Sequence, residues 1–268
     1  MATTHPPHRR APAGELLKQW RLRRRFSQLD LSVRADVSTR HLSFVETGRA
    51  KPSPEMILHL AEHLAVPLRE RNQILLAAGY APRYSQTALD DTSMAAARDA
   101  LELVLRAHPY PAVIVDRYWN LVQTNDAVRV LLDGVDPELL MPPVNALRLA
   151  LHPDGLRRRA ANFEEYAEHL LQRLRHLADT TNDPKVTALL EEMRGYVGDE
   201  LGYGDGDPGV LIPVVLDTPD GELRLFSTLS TFGSPLDVTL AEMTIEAFYP
   251  ADADSRRLLV GLLAGVAA

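Results

Sequence analysis

The segment Ser27–Gly48, which reads SQLDLSVRADVSTRHLSFVETG, decides the fold of the first part of this 268-residue chain. It predicts two short helices joined by a tight turn. Ser27 and Ser38 stand where the helices begin, and a serine at that position accepts a hydrogen bond from an unpaired backbone N–H group. Ala35 is small enough for the helices to cross closely, and Asp36 tolerates the left-handed conformation that the turn needs. The segment therefore predicts a helix-turn-helix motif.

Further short helices flank the motif and complete an all-α domain over residues 13–80. The helical spacing of apolar residues predicts their positions. The predicted helices outside the motif are Ala13–Arg25, Met56–Leu64 and Leu68–Ala78. The apolar face of the first helix contains Leu16, Leu17, Trp20 and Leu22. Residues 1–12 have no such period, so we predict a disordered tail there, and we assign residues 81–93 to a linker.

The second helix of the motif has the features of a helix that reads the major groove of DNA, since its first turn points outward. Arg40 suits a bidentate contact to guanine, while Thr39 and Ser43 suit a base or a phosphate. Phe44 either meets a thymine methyl or packs on a neighbouring helix, and Gln28 either touches a phosphate or clamps the recognition helix. The predicted DNA-binding residues are Gln28, Ser38, Thr39, Arg40, Ser43, Phe44, Arg49 and Lys51.

The charge of the chain changes sign along its length. The total of 29 Lys and Arg against 36 Asp and Glu gives a net charge of −7. Residues 1–83 contain 14 basic and 7 acidic side chains, a net +7, whereas residues 84–268 contain 15 and 29, a net −14. This separation indicates a basic module that meets a polyanion and an acidic module that does not. The alternative is a helical hairpin whose basic face is merely solvated.

Residues 94–268 alternate helices and strands and predict an α+β domain. The helices are predicted at 94–107, 126–132, 163–178 and 184–196, and the strands at 111–116, 119–122, 210–216, 223–231 and 238–249. The last strand alternates, with one face formed by Ala241, Met243, Ile245, Ala247 and Tyr249, and the other by Glu242, Thr244 and Glu246. The acidic, glycine-rich residues 202–207 predict a flexible loop.

Several function classes are disfavoured by composition. The chain has no cysteine, which excludes disulfides, thiol nucleophiles and cysteine metal sites. We expect neither a signal peptide nor a membrane helix. We also expect the protein to be cytoplasmic. The segment His59-Leu60-Ala61-Glu62-His63 matches the H-x-x-E-H pattern of zinc hydrolases, the enzymatic alternative, but it lies in a small helical domain. We therefore expect no catalytic residues and no metal site.

Several blocks of the chain, in order, resemble one family. The blocks are residues 40–50, 67–72, 75–82, 109–112, 116–120, 151–155, 226–228 and 231–233. They are similar to XRE-family, Cro/repressor-like helix-turn-helix regulators that have a MmyB-like, PAS-like C-terminal domain. The resemblance implies a bacterial transcriptional regulator. It also implies a sheet with helices on one face, and between them a cavity for a fatty-acid-like or other small apolar ligand, with no required cofactor.

The cavity implied by the resemblance has candidate lining residues, each of which is alternatively plain core. They are Trp119, Phe163, Tyr166, Phe226, Thr228 and Met243, with Trp119 and Asn120 on the second strand. The candidates to hold a ligand carboxylate are Arg148, His152, Arg157 and Asn162. His152 alternatively belongs to a turn that ends at Gly155. We expect a homodimer on a palindromic operator, since one motif reads one half-site; an antitoxin-like, partner-binding autoregulator is the rival.

Overall fold

The computed structural model of the chain describes two compact units. The residues described are 12–181, 183–198, 211–233 and 235–266. The first unit comprises Met1–Gln86 with Leu236–Val238, and the second comprises Thr87–Pro235 with Thr239–Ala268. The predicted tail up to residue 11 and the predicted loop 202–207 lie outside the described residues. Within the described part of the chain, no helix has the length and apolar character to cross a membrane.

The described residues of the first unit form five short helices. They are α1 (Ala13–Arg23), α2 (Gln28–Arg34), α3 (Thr39–Glu46), α4 (Pro54–His63) and α5 (Leu68–Ala77). The Ser27 hydroxyl accepts a hydrogen bond from the Asp30 N–H, and the Asp30 carboxylate accepts one from the Ser27 N–H. The Ser38 hydroxyl caps α3 by accepting a hydrogen bond from the His41 N–H, and Asp36 has a φ of 49° in the turn. The predicted helix-turn-helix is confirmed.

The core of the first unit forms where α1 crosses the motif. Leu17 and Trp20 of α1 are buried together with Leu42 and Val45 of α3. Helix α1 approaches so closely that a Cβ atom at Gly14 would lie 2.1 Å from the carbonyl oxygen of Val45. The prediction that Leu22 belongs to the apolar face of α1 is wrong. Its side chain is exposed because the helical period turns it away from the buried face.

The second unit combines an antiparallel sheet with helices. The helices are α6 (Ala95–Ala107), α7 (Arg129–Leu132), α8 (Ala146–Leu151), α9 (Phe163–Thr181), α10 (Pro184–Val197), α11 (Val238–Ala241) and α12 (Ala253–Val266). The strands are β1 (Ala112–Val115), β2 (Leu121–Thr124), β3 (Val214–Thr218), β4 (Gly221–Ser230) and β5 (Thr244–Pro250). The strand order is β2-β1-β5-β4-β3, so the N- and C-terminal strands of the unit pair at its centre. The predicted α+β class is confirmed.

Helices cover both faces of this sheet, whereas the family resemblance implies helices on one face only. Val113 and Val115 of β1 pack with α8, α9 and α10. Ala112 and Ile114 point the other way and pack with Leu101 of α6. All four residues of β1 are buried, as a strand between two helical layers requires.

Two predictions about the strands are wrong. The predicted strand 238–249 is helical at its start, as α11, and becomes a strand only at Thr244, so Met243 precedes β5. Glu246 is 5% exposed, because the face of the sheet to which it belongs is also covered by helices. Trp119 and Asn120 lie in the turn before β2 rather than on the strand, and Trp119 has a φ of 64°.

Candidate DNA-reading surface and ligand cavity

The N-terminal turn of α3 forms an exposed polar surface. Thr39 and Arg40 are exposed, Ser43 and Phe44 are half-buried, and Leu42 is buried beneath them. The Arg40 guanidinium carbon lies 5.4 Å from the centroid of the Phe44 ring. Stacking on the ring holds the arginine beside the aromatic side chain, with its donors available for a base edge. The spacing of α3 thus leaves Thr39 and Arg40 exposed and Ser43 and Phe44 partly exposed beside them.

A hydrogen-bond network fixes the far end of α3. Glu46 is buried, and its carboxylate accepts bonds from Arg21 Nε at 2.6 Å and from Arg21 Nη2 at 2.8 Å. The Gln28 side chain donates to the second carboxylate oxygen at 2.8 Å. Arg21 also donates to the Phe26 carbonyl at 2.7 Å. Of the two roles considered for Gln28, this geometry is the clamp on the recognition helix.

The polar side chains around α3 have distinct surroundings. The Thr39 and Ser32 hydroxyls are 2.8 Å apart and tie α3 to α2. The hydroxyl of Ser38 is used in capping. Arg49 and Lys51 are exposed, and the Lys51 ammonium lies 4.6 Å from the centroid of the Tyr80 ring. Both cations are therefore available to phosphates.

The H-x-x-E-H segment on α4 serves packing in this structure. The Nε2 atom of His59 lies 2.7 Å from the carbonyl oxygen of Ala35, a hydrogen bond that joins α4 to the helix-turn-helix. The His59 and His63 rings meet edge to face at 4.7 Å, while Glu62 is exposed. A zinc ion on His59 Nε2 would have to replace the bond to Ala35. Among the described residues, no cluster of three or more His, Asp or Glu side chains has an arrangement that could hold a metal ion.

The second unit has an inner cavity between its sheet and the helices α7, α8 and α9. Its volume is about 60 Å³. Its walls are almost wholly apolar, and the polar side chains among them belong to Trp119, Tyr166 and Glu246. An outer pocket of about 510 Å³ adjoins it and shares the walls formed by Tyr166, Val214 and Phe248. The remaining lining residues of the outer pocket are His169, Gln172, Arg173, Leu211, Ile212, Leu225 and Ser227.

Some of the predicted lining residues reach these cavities and others face away from them. Trp119 and Tyr166 line the inner cavity, and Phe163 packs against the same core. Phe226 and Thr228 are on the opposite face of β4, where the Phe226 ring stacks on Tyr249 at 5.4 Å. Met243 is buried on that opposite face too. Their predicted placement in the cavity is wrong because the β4–β5 pairing puts Ser227, the neighbour of Phe226, on the cavity side.

The four predicted carboxylate partners have other bonds and lie outside the linings of the two cavities. Arg148 donates to both oxygens of Glu192, at 2.6 and 2.9 Å. Arg157 donates to the Tyr196 carbonyl at 2.6 Å. These contacts join α10 to the segments around α8. The Arg148 hydrogen bond also lowers the pKa of Glu192, and the Tyr196 hydroxyl contributes to the same shift.

The other two of these candidates fix local backbone. Asn162 donates to the Pro213 carbonyl at 2.8 Å and accepts from the Val215 N–H at 2.9 Å, so it holds the start of β3. His152 has the alternative role considered for it, as part of a turn. The Gly155 N–H donates a hydrogen bond to the His152 carbonyl and closes the predicted turn.

Sequence reasoning missed the polar group at the boundary of the two cavities. The Glu246 carboxylate accepts a hydrogen bond from the Ser227 hydroxyl at 2.8 Å and pairs with Arg173 Nη1 at 3.3 Å. The Arg173 guanidinium carbon lies 4.7 Å from the centroid of the Trp119 ring. A signal was present in α9, where Arg173 is seven residues after Tyr166 and so interrupts the apolar face of the helix.

The Trp119 ring reaches Arg173 because the Trp119 backbone has a left-handed conformation, with a φ of 64°. Left-handed φ values are rare for bulky residues and persist where the surroundings hold them. Here the Asp116 carboxylate accepts bonds from the N–H groups of Tyr118 and Asn120, and the Trp119 carbonyl accepts one from the Ala146 N–H. The turn is therefore fixed from several sides, and it directs the indole ring toward Arg173.

A helix-turn-helix with an exposed arginine and an α+β domain with an apolar cavity, within one chain, are typical of ligand-responsive transcription regulators. Residues 13–74 match the family model described as helix-turn-helix domain. Residues 97–262, more than half of the chain, match the model described as MmyB-like transcription regulator ligand binding domain. The chain belongs to this family of MmyB-like, helix-turn-helix transcription regulators.

No curated protein matches the chain. One solved structure, described as an RNA-binding light-oxygen-voltage receptor, aligns with 95% of this chain at 13% sequence identity and a TM-score of 0.28. The aligned part spans 63% of that receptor chain. A likeness this weak carries no argument about fold or function.

Proposed function

We propose that this protein is a cytoplasmic, sequence-specific DNA-binding regulator whose C-terminal domain binds a small, fatty-acid-like molecule and thereby modulates DNA binding. It acts as a homodimer on a palindromic operator and requires no other cofactor. The observation that carries the DNA half is the exposed first turn of α3 with Arg40, fixed to its unit by the Glu46 network. The outer pocket of about 510 Å³ supports the ligand half, since it falls within the range of small-molecule sites.

The DNA half is tested by finding the operator and then changing Arg40. The operator is selected from random duplexes by the purified full-length protein, and affinity is measured by fluorescence anisotropy. Arg40→Ala should cost about 1–3 kcal/mol and relax the preference at one base pair per half-site. If the Arg40→Ala variant binds the selected operator with wild-type affinity and specificity, α3 is not the helix that reads the bases.

Arg49→Ala provides the matched comparison, because it removes the same charge from an exposed position next to the motif. It should weaken binding about equally on operator and random DNA and reduce the salt slope by about one. Palindromy of the selected sites and a dimer mass in solution test the proposed assembly.

The ligand half is tested on the protein as purified. Native mass spectrometry, compared with the denatured mass, identifies any bound molecule. Removing and restoring that molecule should change operator affinity, because a ligand shifts an equilibrium only by binding its two states unequally. An unchanged affinity would contradict the proposed regulation and would leave DNA reading intact.

A further inference from the structure

The boundary between the inner cavity and the outer pocket has an incompletely bonded ion pair. Arg173 reaches Glu246 through Nη1 alone, at 3.3 Å. Its other terminal nitrogen, Nη2, is buried and has no hydrogen-bond partner among the described residues. A buried donor without a partner is unfavourable, so a ligand atom that accepts this bond gains affinity. The atom that best complements the site is an oxygen acceptor.

The charges that line the two cavities decide whether that oxygen belongs to an anion. In the described part of the chain, the ionisable lining side chains are Glu246, Arg173, His169 and Tyr166. Burial and the neighbouring Arg173 lower the pKa of His169, so that side chain is neutral at pH 7. Burial raises the pKa of Tyr166, which also stays neutral. Glu246 already compensates the one cation, Arg173, and the lining is therefore neutral overall.

A ligand carboxylate would bring an additional negative charge to a site whose own carboxylate is 5% exposed. A buried charge without a counter-charge is costly. A carbonyl oxygen satisfies Arg173 Nη2 without that cost. The apolar walls of the inner cavity, whose volume is about 60 Å³, suit a short apolar end of the same molecule.

We infer that the ligand is an uncharged apolar molecule with a carbonyl group, such as a fatty amide or ester, that Arg173 binds the carbonyl oxygen, and that Glu246 selects against the free fatty acid. This inference rests on the proposed function, because it specifies the chemistry of the ligand that the cavity binds. Glu246 acts as a specificity-determining residue through its charge, and Trp119 positions the guanidinium.

The test compares three probes with the same ten-carbon chain at pH 8: decanamide, methyl decanoate and decanoate. Their affinities for the full-length protein are measured by calorimetry. The two uncharged probes should bind wild-type protein at least about tenfold more tightly than decanoate. Glu246→Gln leaves the charge of Arg173 uncompensated, so the preference should shrink about tenfold or reverse in favour of decanoate.

Two further variants keep the test decisive. Ser227→Ala keeps the inference testable if Glu246→Gln does not fold. It removes the hydrogen bond to Glu246 without changing any charge, so the preference for uncharged probes should persist. Glu222→Gln is the matched charge control, on an exposed side chain of β4, and should bind all three probes like wild type. Tighter binding of decanoate by wild-type protein, or an unchanged preference in folded Glu246→Gln, would overturn the inference and leave the proposed ligand function standing. No binding of any probe would overturn the proposed fatty-acid-like ligand itself.

Discussion

Both units of this protein contain buried Arg–Glu pairs, and Arg21–Glu46 of the first unit differs from Arg173–Glu246 of the second in how completely it is bonded. In the first unit, Arg21 and Glu46 form two mutual hydrogen bonds, and Phe26 and Gln28 provide further partners. In the second unit, Arg173 makes one contact of 3.3 Å to Glu246. The first pair faces packed helices, whereas the second faces a cavity. A saturated pair fixes the recognition helix, and an unsaturated pair beside a cavity leaves bonding capacity for a ligand.

The largest expected effect comes from removing the carboxylate of each pair. Glu46→Gln leaves the Arg21 charge buried and uncompensated, and should cost about 3–5 kcal/mol of stability in the first unit. Glu246→Gln should cost less in the second unit, because the Arg173 side chain is 20% exposed, against 7% for Arg21, and is less completely removed from water. Hydrogen exchange at increasing urea, read by mass spectrometry on peptides from each unit, measures both. Equal losses would contradict the distinction between a structural and a binding pair.

The two units also differ in how well the sequence predicts their features. In the first unit the decisive signals are local: Ser27 and Ser38 cap helices that begin one residue later, and Asp36 adopts the turn conformation. The orientation of each strand in the second unit depends on partners far away in the chain. The alternation around Glu246 indicates a strand, but only the pairing of β5 with β1 and β4 decides which face looks into the cavity.

The predicted site shows the same limit. Arg40 follows from its position within one helix, whereas the sequence predicts Phe226 in the cavity and the structure has its neighbour Ser227 there instead. Choosing between the faces of a strand requires knowing what covers each one. The covering helices α6 and α9 are separated from β4 by long stretches of sequence, so no local pattern contains that information.

A second prediction concerns how tightly the first unit is packed around its pair. Gly14→Ala places a methyl group against the Val45 backbone, at 2.1 Å before relaxation, and should destabilise the first unit by about 1–3 kcal/mol. It should also weaken operator binding, because α3 must move. Gly195→Ala on α10 is the matched control, since a Cβ there meets nothing within 4 Å and alanine favours the helix. That variant should be neutral or slightly stabilising. Similar behaviour of the two variants in chemical denaturation would contradict the close crossing of α1 and α3.

The smallest expected effect concerns a third pair, Arg148–Glu192, which is well bonded but about one-third exposed. The hydrogen bond from Arg148 lowers the pKa of Glu192 in the folded protein. A carboxyl whose folded pKa is lowered contributes stability above its unfolded pKa of about 4.3, and the contribution is lost as the pH falls through the folded value. The difference in unfolding free energy between wild type and Glu192→Gln should therefore shrink as the pH is lowered from about 6 to about 3. The more exposed Arg224–Glu222 pair provides the comparison, and Glu222→Gln should change stability less at neutral pH. If the stability difference between wild type and Glu192→Gln stays constant or grows on acidification, bonding geometry does not decide what these ion pairs contribute to stability. That result would remove the basis for treating Arg173–Glu246 as a special case.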